Sequence, residues 1–136
     1  MHTQSPPEVV LQLLAEPERF AAVRQVVRAH LNDWGYPELA DAATLCVTEM
    51  LANVHRHVLD SPECELRLST LTEGGVRVAV SDRSPELPVW YTEPDWDTES
   101  GRGVFLIASV AGQWGVTPRQ GRRGKQVWAE FTAAKS

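Results

Sequence analysis

The spacing of apolar positions changes along the chain, and each change marks a different predicted element. Residues 9–16 (VVLQLLAE) form a short, mostly apolar run that predicts a β-strand. Apolar residues then recur at helical spacing between Pro17, which suits a first helical turn, and Gly35, which suits a helix end. A second helical pattern runs from Pro37 to about Leu59. The first half of the chain therefore predicts one strand followed by two helices.

The period changes from helix to strand in the second half. Residues 64–71 (CELRLSTL) and 76–82 (VRVAVSD) alternate apolar and polar side chains around an EGG turn, which predicts a β-hairpin. Residues 83–101 show no periodicity, as is typical of a functional lid or a disordered loop. Residues 101–112 (GRGVFLIASVAG) predict a helix opened by glycines, and QWGVTPR and KQVWAEF predict a closing hairpin.

This order of elements predicts an α+β fold. We expect a two-layer α/β sandwich whose sheet is mixed, mostly antiparallel and covered on one face by helices. The polar, proline-containing residues 1–8 are expected to form a flexible N-terminal tail. Residues 9–136 then make a single domain, because a chain of this length builds one core.

Composition narrows the possible partners. The formal net charge of −5 argues against direct binding of nucleic acid or of an anionic membrane, since both require a basic face. No apolar run reaches the roughly 20 residues that cross a bilayer, and the N-terminus lacks the features of a signal peptide. Cys46 and Cys64 lack CxxC or histidine spacing, which predicts two reduced packing thiols in a cytoplasmic protein.

The stretch TEMLANVHRH (48–57) carries a glutamate and, one turn later, an asparagine inside an amphipathic helix. At about 100° per residue, Asn53 lies about 40° from Glu49, and both border the apolar stripe. A carboxylate there can accept a proton, and an amide oxygen can be the single protein ligand of a Mg²⁺ otherwise held by phosphates and water. The alternative is that Glu49 is solvated and Asn53 is merely tolerated.

Two further features carry possible chemistry. Asp82 ends an apolar strand, where an aspartate either caps an Asx turn or receives an amino group from a ligand base. Gly101 and Gly103 precede a predicted helix. Their free backbone N–H groups can approach phosphates, or the glycines can act as a simple hinge.

The order of these features resembles that of the GHKL (Bergerat-fold) ATPases, and among them the bacterial anti-sigma-factor serine kinases. TEMLANVHRHV looks like the N-box of that family, VSDRSPELP like its first glycine box and GRGVFLIASVAGQWGV like its second. GKQVWAEF resembles the closing strand. The resemblance extends from about Val9 to Phe131 and implies the Bergerat ATP-binding fold.

The resemblance also implies a role for each matching residue. Glu49 would be the catalytic base for a serine hydroxyl of a protein substrate. Asn53 would bind the Mg²⁺ that bridges the ATP phosphates, and Asp82 would bind the exocyclic amine of adenine. Catalysis would then consist mainly of positioning and charge neutralisation.

The second glycine box and the segment before it would enclose the triphosphate. Residues 84–100 would form the ATP lid, and the phosphate-binding residues would be Gly101, Arg102 and Gly103. The lid carries Trp90 and Trp96, which either pack on the core or anchor a protein partner.

Two cofactor-binding positions depart from the family pattern. Ser84 stands where the first glycine box usually has glycine, which could narrow the adenine pocket. Gln126 stands where many relatives have a threonine that helps to hold adenine. Both positions remain candidates for contact with the nucleotide.

The resemblance implies an ATP- and Mg²⁺-dependent protein-serine kinase that regulates transcription. Such a protein would bind a sigma factor and phosphorylate an anti-anti-sigma antagonist with a STAS domain, and it would form a homodimer as its relatives usually do. The alternative is a catalytically silent Bergerat-fold interaction module that regulates partners by binding alone. Ser84, Gln126 and the acidic side chains of the lid favour that alternative. The acidic lid residues are Glu86, Glu93, Asp95, Asp97 and Glu99.

Overall fold

Two helices and five strands make up the described part of the chain. The computed structural model describes residues 7–57, 63–84, 111–119, 121 and 123–133. The elements are β1 (Glu8–Leu14), α1 (Phe20–Asp33), α2 (Ala40–His57), β2 (Glu63–Thr70), β3 (Gly75–Asp82), β4 (Gln113–Pro118) and β5 (Lys125–Thr132). Neither of the described helices is long and apolar enough to cross a membrane.

The predicted strands and the first two predicted helices are confirmed. β1 begins at Glu8, the last residue assigned to the tail, and Thr70 N donates to Pro7 O at 3.2 Å. The other tail residues 1–6, the lid beyond Ser84 and residues 101–110 of the third predicted helix lie outside the described residues.

Each helix begins with a proline in a short 3-10 turn. Pro17–Arg19 precedes α1 and Pro37–Leu39 precedes α2, so each proline lies where its missing N–H group costs nothing. Gly35, with φ of +87°, ends the first helix, and Tyr36 N returns to Leu31 O at 2.8 Å. The chain therefore turns sharply between the two helices.

The described strands form one antiparallel sheet in the order β1-β2-β3-β5-β4. Two of the strand pairs join segments distant in sequence: β1 with β2, and β3 with β5. The expected α+β sandwich is confirmed, and the expected mixed or antiparallel sheet is purely antiparallel among these strands.

The alternation of the strands separates an apolar face from a polar one. On β2, the side chains of Cys64, Leu66 and Leu68 are buried, and those between them are half-buried. The apolar face packs against α1 and α2. The largest buried side chains of this layer are Leu31, Val27, Val47, Met50, Leu51, Leu66, Leu68, Val76, Val78 and Val80. This layer positions the polar residues of the candidate site.

Candidate functional site

A buried ion pair joins the end of β3 to the start of β5. Asp82 lies directly opposite Lys125, whose Nζ is 2.9 Å from Asp82 Oδ2 and 3.0 Å from Oδ1. The two side chains are 3% and 7% exposed. The backbone N–H of Ser84 also donates to Oδ1, at 2.8 Å. Asp82 therefore caps an Asx turn, one of the two roles expected for it, and is also paired with a buried ammonium group.

Strand alternation explains why a lysine lies inside the protein. Lys125 is in phase with Val127 and Ala129, which are buried on the helix-covered face of β5. Gly124 precedes it with φ of +123°, and a Cβ atom at that position would lie 2.0 Å from the carbonyl oxygen of Asp82. Glycine thus permits β5 to approach the end of β3, where the ion pair forms.

Asn53 is 6% exposed, so its side chain lies on the buried side of α2. Its Oδ1 accepts a hydrogen bond from Arg56 Nη1 at 3.2 Å. Its buried Nδ2 has no hydrogen-bond partner among the described residues. A buried donor without a partner costs about 1–3 kcal/mol, and Asn is also a poor helix former. Within the described residues, the position therefore carries a stability cost that packing does not explain.

Glu49 lies one turn before Asn53 and is half-buried. The pKa of the neighbouring Cys46 thiol is raised from 9.0 to about 12 by burial and then by the charge of Glu49. The pKa of Cys64 is raised to about 12 by burial and then by the charge of Asp82. Both cysteines are free and buried, so both thiols are protonated at neutral pH, as the predicted packing role requires.

The structure places the other predicted site residues in different surroundings. Ser84 lies beside Asp82, and its carbonyl oxygen is 3.5 Å from Lys125 Nζ. Gln126 lies on the opposite face of the sheet, where it donates to Ser81 Oγ and accepts from Arg77 Nη2, both at 3.2 Å. The structure therefore does not bring Gln126 together with Asp82. Three predicted phosphate-binding residues lie outside the described residues: Gly101, Arg102 and Gly103.

Lys125 is the site residue that the sequence reasoning missed. The signal was present, since Lys125 precedes Val127 and Ala129 at strand spacing and therefore shares their buried face. The same alternation moves the next residue, Gln126, to the opposite face. Counting back two residues from the buried Val127 would have identified Lys125 as a buried lysine.

The chain matches the sequence profile of the histidine kinase-like ATPase domain over residues 13–131. It belongs to this family. An uncharacterized protein of Streptomyces coelicolor is 38% identical over 78 residues, which cover 57% of this chain and 74% of that protein. The fold is similar to that in the crystal structure of the SiaB-SiaC complex from Pseudomonas aeruginosa. The TM-score is 0.64 at 10% identity, covering 90% of this chain and 88% of that one. The resemblance to GHKL-type ATPases is confirmed.

Among the described residues, the side chains of the candidate site suit phosphate oxygens better than they suit a metal ion held by protein ligands alone. The described residues contain no group of three or more His, Cys, Asp or Glu side chains able to hold a metal ion. The buried Asn53 Nδ2 and the Arg56 guanidinium are hydrogen-bond donors that suit phosphate oxygens. Asn53 Oδ1 keeps one lone pair beyond its bond to Arg56, so Mg²⁺ held mainly by phosphates and water fits there.

Proposed function

We propose that this chain is an anti-sigma-factor regulatory protein that binds ATP and transfers its γ-phosphoryl group to a serine of a protein partner. Membership of the histidine kinase-like ATPase domain family supports nucleotide binding. The side chains of Glu49 and Asn53 on α2, and of Asp82 at the end of β3, support the separate roles proposed for them.

The observation that carries the proposal is the buried amide of Asn53. Its Nδ2 lacks a partner among the described residues and its side chain is 6% exposed. Buried polar groups are almost always hydrogen-bonded, so an exception at the border of an apolar helix face marks a position kept for a ligand. Asn53 Nδ2 would donate to an oxygen of a bound triphosphate, and Asn53 Oδ1 would help to hold the Mg²⁺ that accompanies it.

The other residues divide the remaining tasks. Bound ATP with Mg²⁺ supplies the phosphoryl group and neutralises its charge. Glu49, one turn from Asn53, accepts the proton of the attacking serine hydroxyl. Asp82 accepts a hydrogen bond from the exocyclic amine of the base. Residues 84–100 cover the nucleotide, and Gly101, Arg102 and Gly103 hold its phosphates.

The proposed partners are proteins. A sigma factor is sequestered, and an anti-anti-sigma protein with a STAS domain is the phosphorylated antagonist. The active protein is a homodimer. The proposed setting is the cytoplasm, where thiols stay reduced, and the two buried free cysteines fit such a setting.

Phosphate transfer tests the proposal. The protein is incubated with millimolar ATP labelled at the γ-phosphate, Mg²⁺ and a STAS-domain protein, and label on the partner's serine is measured. Glu49→Gln is expected to lower the transfer rate by about a hundredfold or more, because the base is lost. Glu38→Gln, at an exposed carboxylate before α2, is the matched control and keeps the rate. Complex formation without any transfer would overturn the kinase assignment.

A second candidate function is binding without catalysis. The observation that favours it is Lys125, because its ammonium group already occupies both oxygens of the Asp82 carboxylate. Such a module forms its complex with the STAS or sigma partner in the absence of nucleotide. Its affinity for the partner is then unchanged by Glu49→Gln and by Asn53→Ala, whereas ATP shifts the affinity of a nucleotide-dependent regulator.

A further inference from the structure

The hydrogen-bonding capacity of Asp82 is almost fully used inside the protein. A carboxylate offers about four acceptor positions. Oδ1 accepts from Ser84 N at 2.8 Å and from Lys125 Nζ at 3.0 Å, and Oδ2 accepts from Nζ at 2.9 Å. Three of these positions are therefore used inside the protein, two of them by Lys125.

The hydrogen-bond donors of the Lys125 ammonium group are also used inside the protein. Lys125 Nζ has three N–H donors. It lies near both Asp82 oxygens and 3.5 Å from the carbonyl oxygen of Ser84. Lys125 is 6% exposed, so hydration replaces few of these interactions. A ligand that separates the pair must therefore supply new partners for both the buried carboxylate of Asp82 and the buried ammonium group of Lys125.

We propose that Lys125 sets the nucleotide affinity of this site by occupying, on Asp82, the hydrogen-bonding position of the base amine. The proposal rests on the function proposed above, in which Asp82 receives that amine. The site binds a nucleotide base only in the fraction of molecules in which the Lys125 ammonium has moved away from the carboxylate. The apparent dissociation constant is then raised by the inverse of that fraction.

The geometry also explains why the pair is stable without nucleotide. Gly124 brings the start of β5 against the carbonyl group of Asp82, and the β3–β5 register places residues 82 and 125 directly opposite each other. Both side chains project from rigid strand positions, so the pair forms without ordering a loop. The ammonium group acts as an internal substitute for the ligand.

Two substitutions separate this role from a general effect on the fold. Lys125→Thr removes the ammonium group and keeps a hydroxyl donor for Asp82, and Lys125→Arg keeps a cation beside the carboxylate. Binding of ATP with Mg²⁺ is measured by calorimetry for the wild type and both variants. Lys125→Thr is expected to bind ATP about tenfold or more tightly than the wild type, whereas Lys125→Arg stays within about threefold of it. If Lys125→Thr does not fold, Lys125→Gln takes its place, because it fills the volume of the lysine side chain, removes the ammonium charge and leaves the Asp82 carboxylate with a neutral donor.

The outcomes distinguish this inference from the proposed function. ATP binding by the wild type that is unchanged or weakened in Lys125→Thr overturns the role of Lys125 and leaves the nucleotide-binding function intact. Absence of binding in the wild type and in all variants at millimolar ATP overturns nucleotide binding and the inference with it.

Acylation of Lys125 by acetic anhydride tests the ion pair without any nucleotide. The rate at Lys125 is expected to be at least about tenfold lower in the native protein than in urea, because amine reagents attack the free, neutral amine. Equal acylation rates in both conditions would show that Asp82 does not hold the Lys125 ammonium group, and would overturn the inference.

Discussion

Cys64 on β2 lies directly opposite Asp82 on β3, so a buried thiol and a buried carboxylate share the edge of the candidate site. Burial first, and the charge of Asp82 second, raise the pKa of Cys64 to about 12. We expect Cys64 and Cys46 to resist an aromatic disulfide reagent at about pH 8, because the thiolate is the reactive species. Thiol release measured by absorbance is expected to become rapid only in denaturant. Rapid release from the native protein would contradict the assigned burial.

The same two thiols predict how stability changes in alkali. Their folded pKa of about 12 lies above the ordinary thiol value of 9.0, so the unfolded chain loses these protons first. The contribution of the two protonated thiols to the free energy of unfolding is complete below about pH 9 and is lost as pH rises toward 12. We expect the free energy of unfolding, measured by urea titration, to fall across this window. The double variant Cys46→Ala, Cys64→Ala is expected to lose less stability over the same window than the wild type, and an identical slope would refute the assignment.

Asn53→Leu is expected to stabilise the fold and abolish nucleotide binding. The substitution removes a buried donor that has no partner among the described residues and adds a better helix former. The expected gain is about 1 kcal/mol in the free energy of unfolding, measured by urea titration. Asn32→Leu, at an exposed position of α1, is the control and is expected to gain no more than about half as much. Destabilisation by Asn53→Leu would mean that the amide is satisfied in solution.

The Asp82–Lys125 pair predicts a non-additive response to substitution. Lys125→Met leaves a buried carboxylate without its cation and is expected to cost about 3 kcal/mol. Adding Asp82→Asn to that variant removes the charge that was left unpaired, so part of the loss is recovered. The four proteins of this double-mutant cycle are compared by urea unfolding. Losses that simply add would show that the two groups do not interact.

Gly124 is expected to tolerate alanine far less well than Gly121. Both have positive φ, at +123° and +66°, so both substitutions strain the backbone. At Gly124 the new Cβ atom would also lie 2.0 Å from the carbonyl oxygen of Asp82, whereas at Gly121 it would meet nothing within 4 Å. The melting temperature is expected to fall by several degrees more for Gly124→Ala. Equal melting temperatures would mean that the end of β3 can move away.

The sequence predicted the described elements well because each carries a strong period. The alternating residues of β2 and β3 and the glycine turn between them fixed that hairpin almost to the residue. The helix starts were less well predicted, since the prolines at positions 17 and 37 lie in 3-10 turns before each α-helix. A proline is compatible with either kind of first turn, so the local pattern could not separate them.

The candidate site was predicted less completely than the fold. Asp82 and Asn53 were identified from their places in the pattern, and both are buried. The ion pair was not predicted, because the pairing of Asp82 with Lys125 depends on β3 and β5 being neighbours in the sheet. Local sequence patterns do not specify which distant strands pair. The same register places Gln126 beside Ser81 on the other face, and that pairing again depends on which strands are neighbours.

The position of β5 in the sheet has a consequence for synthesis on the ribosome. β5 ends at Thr132, yet it lies between β3 and β4 and pairs with both. The nascent chain can therefore complete its sheet only after these late residues have left the exit tunnel, and until then β3 presents an unpaired edge. Asp82 meets its cation at that same moment, so a nascent chain halted before residue 125 carries the carboxylate without the ammonium group.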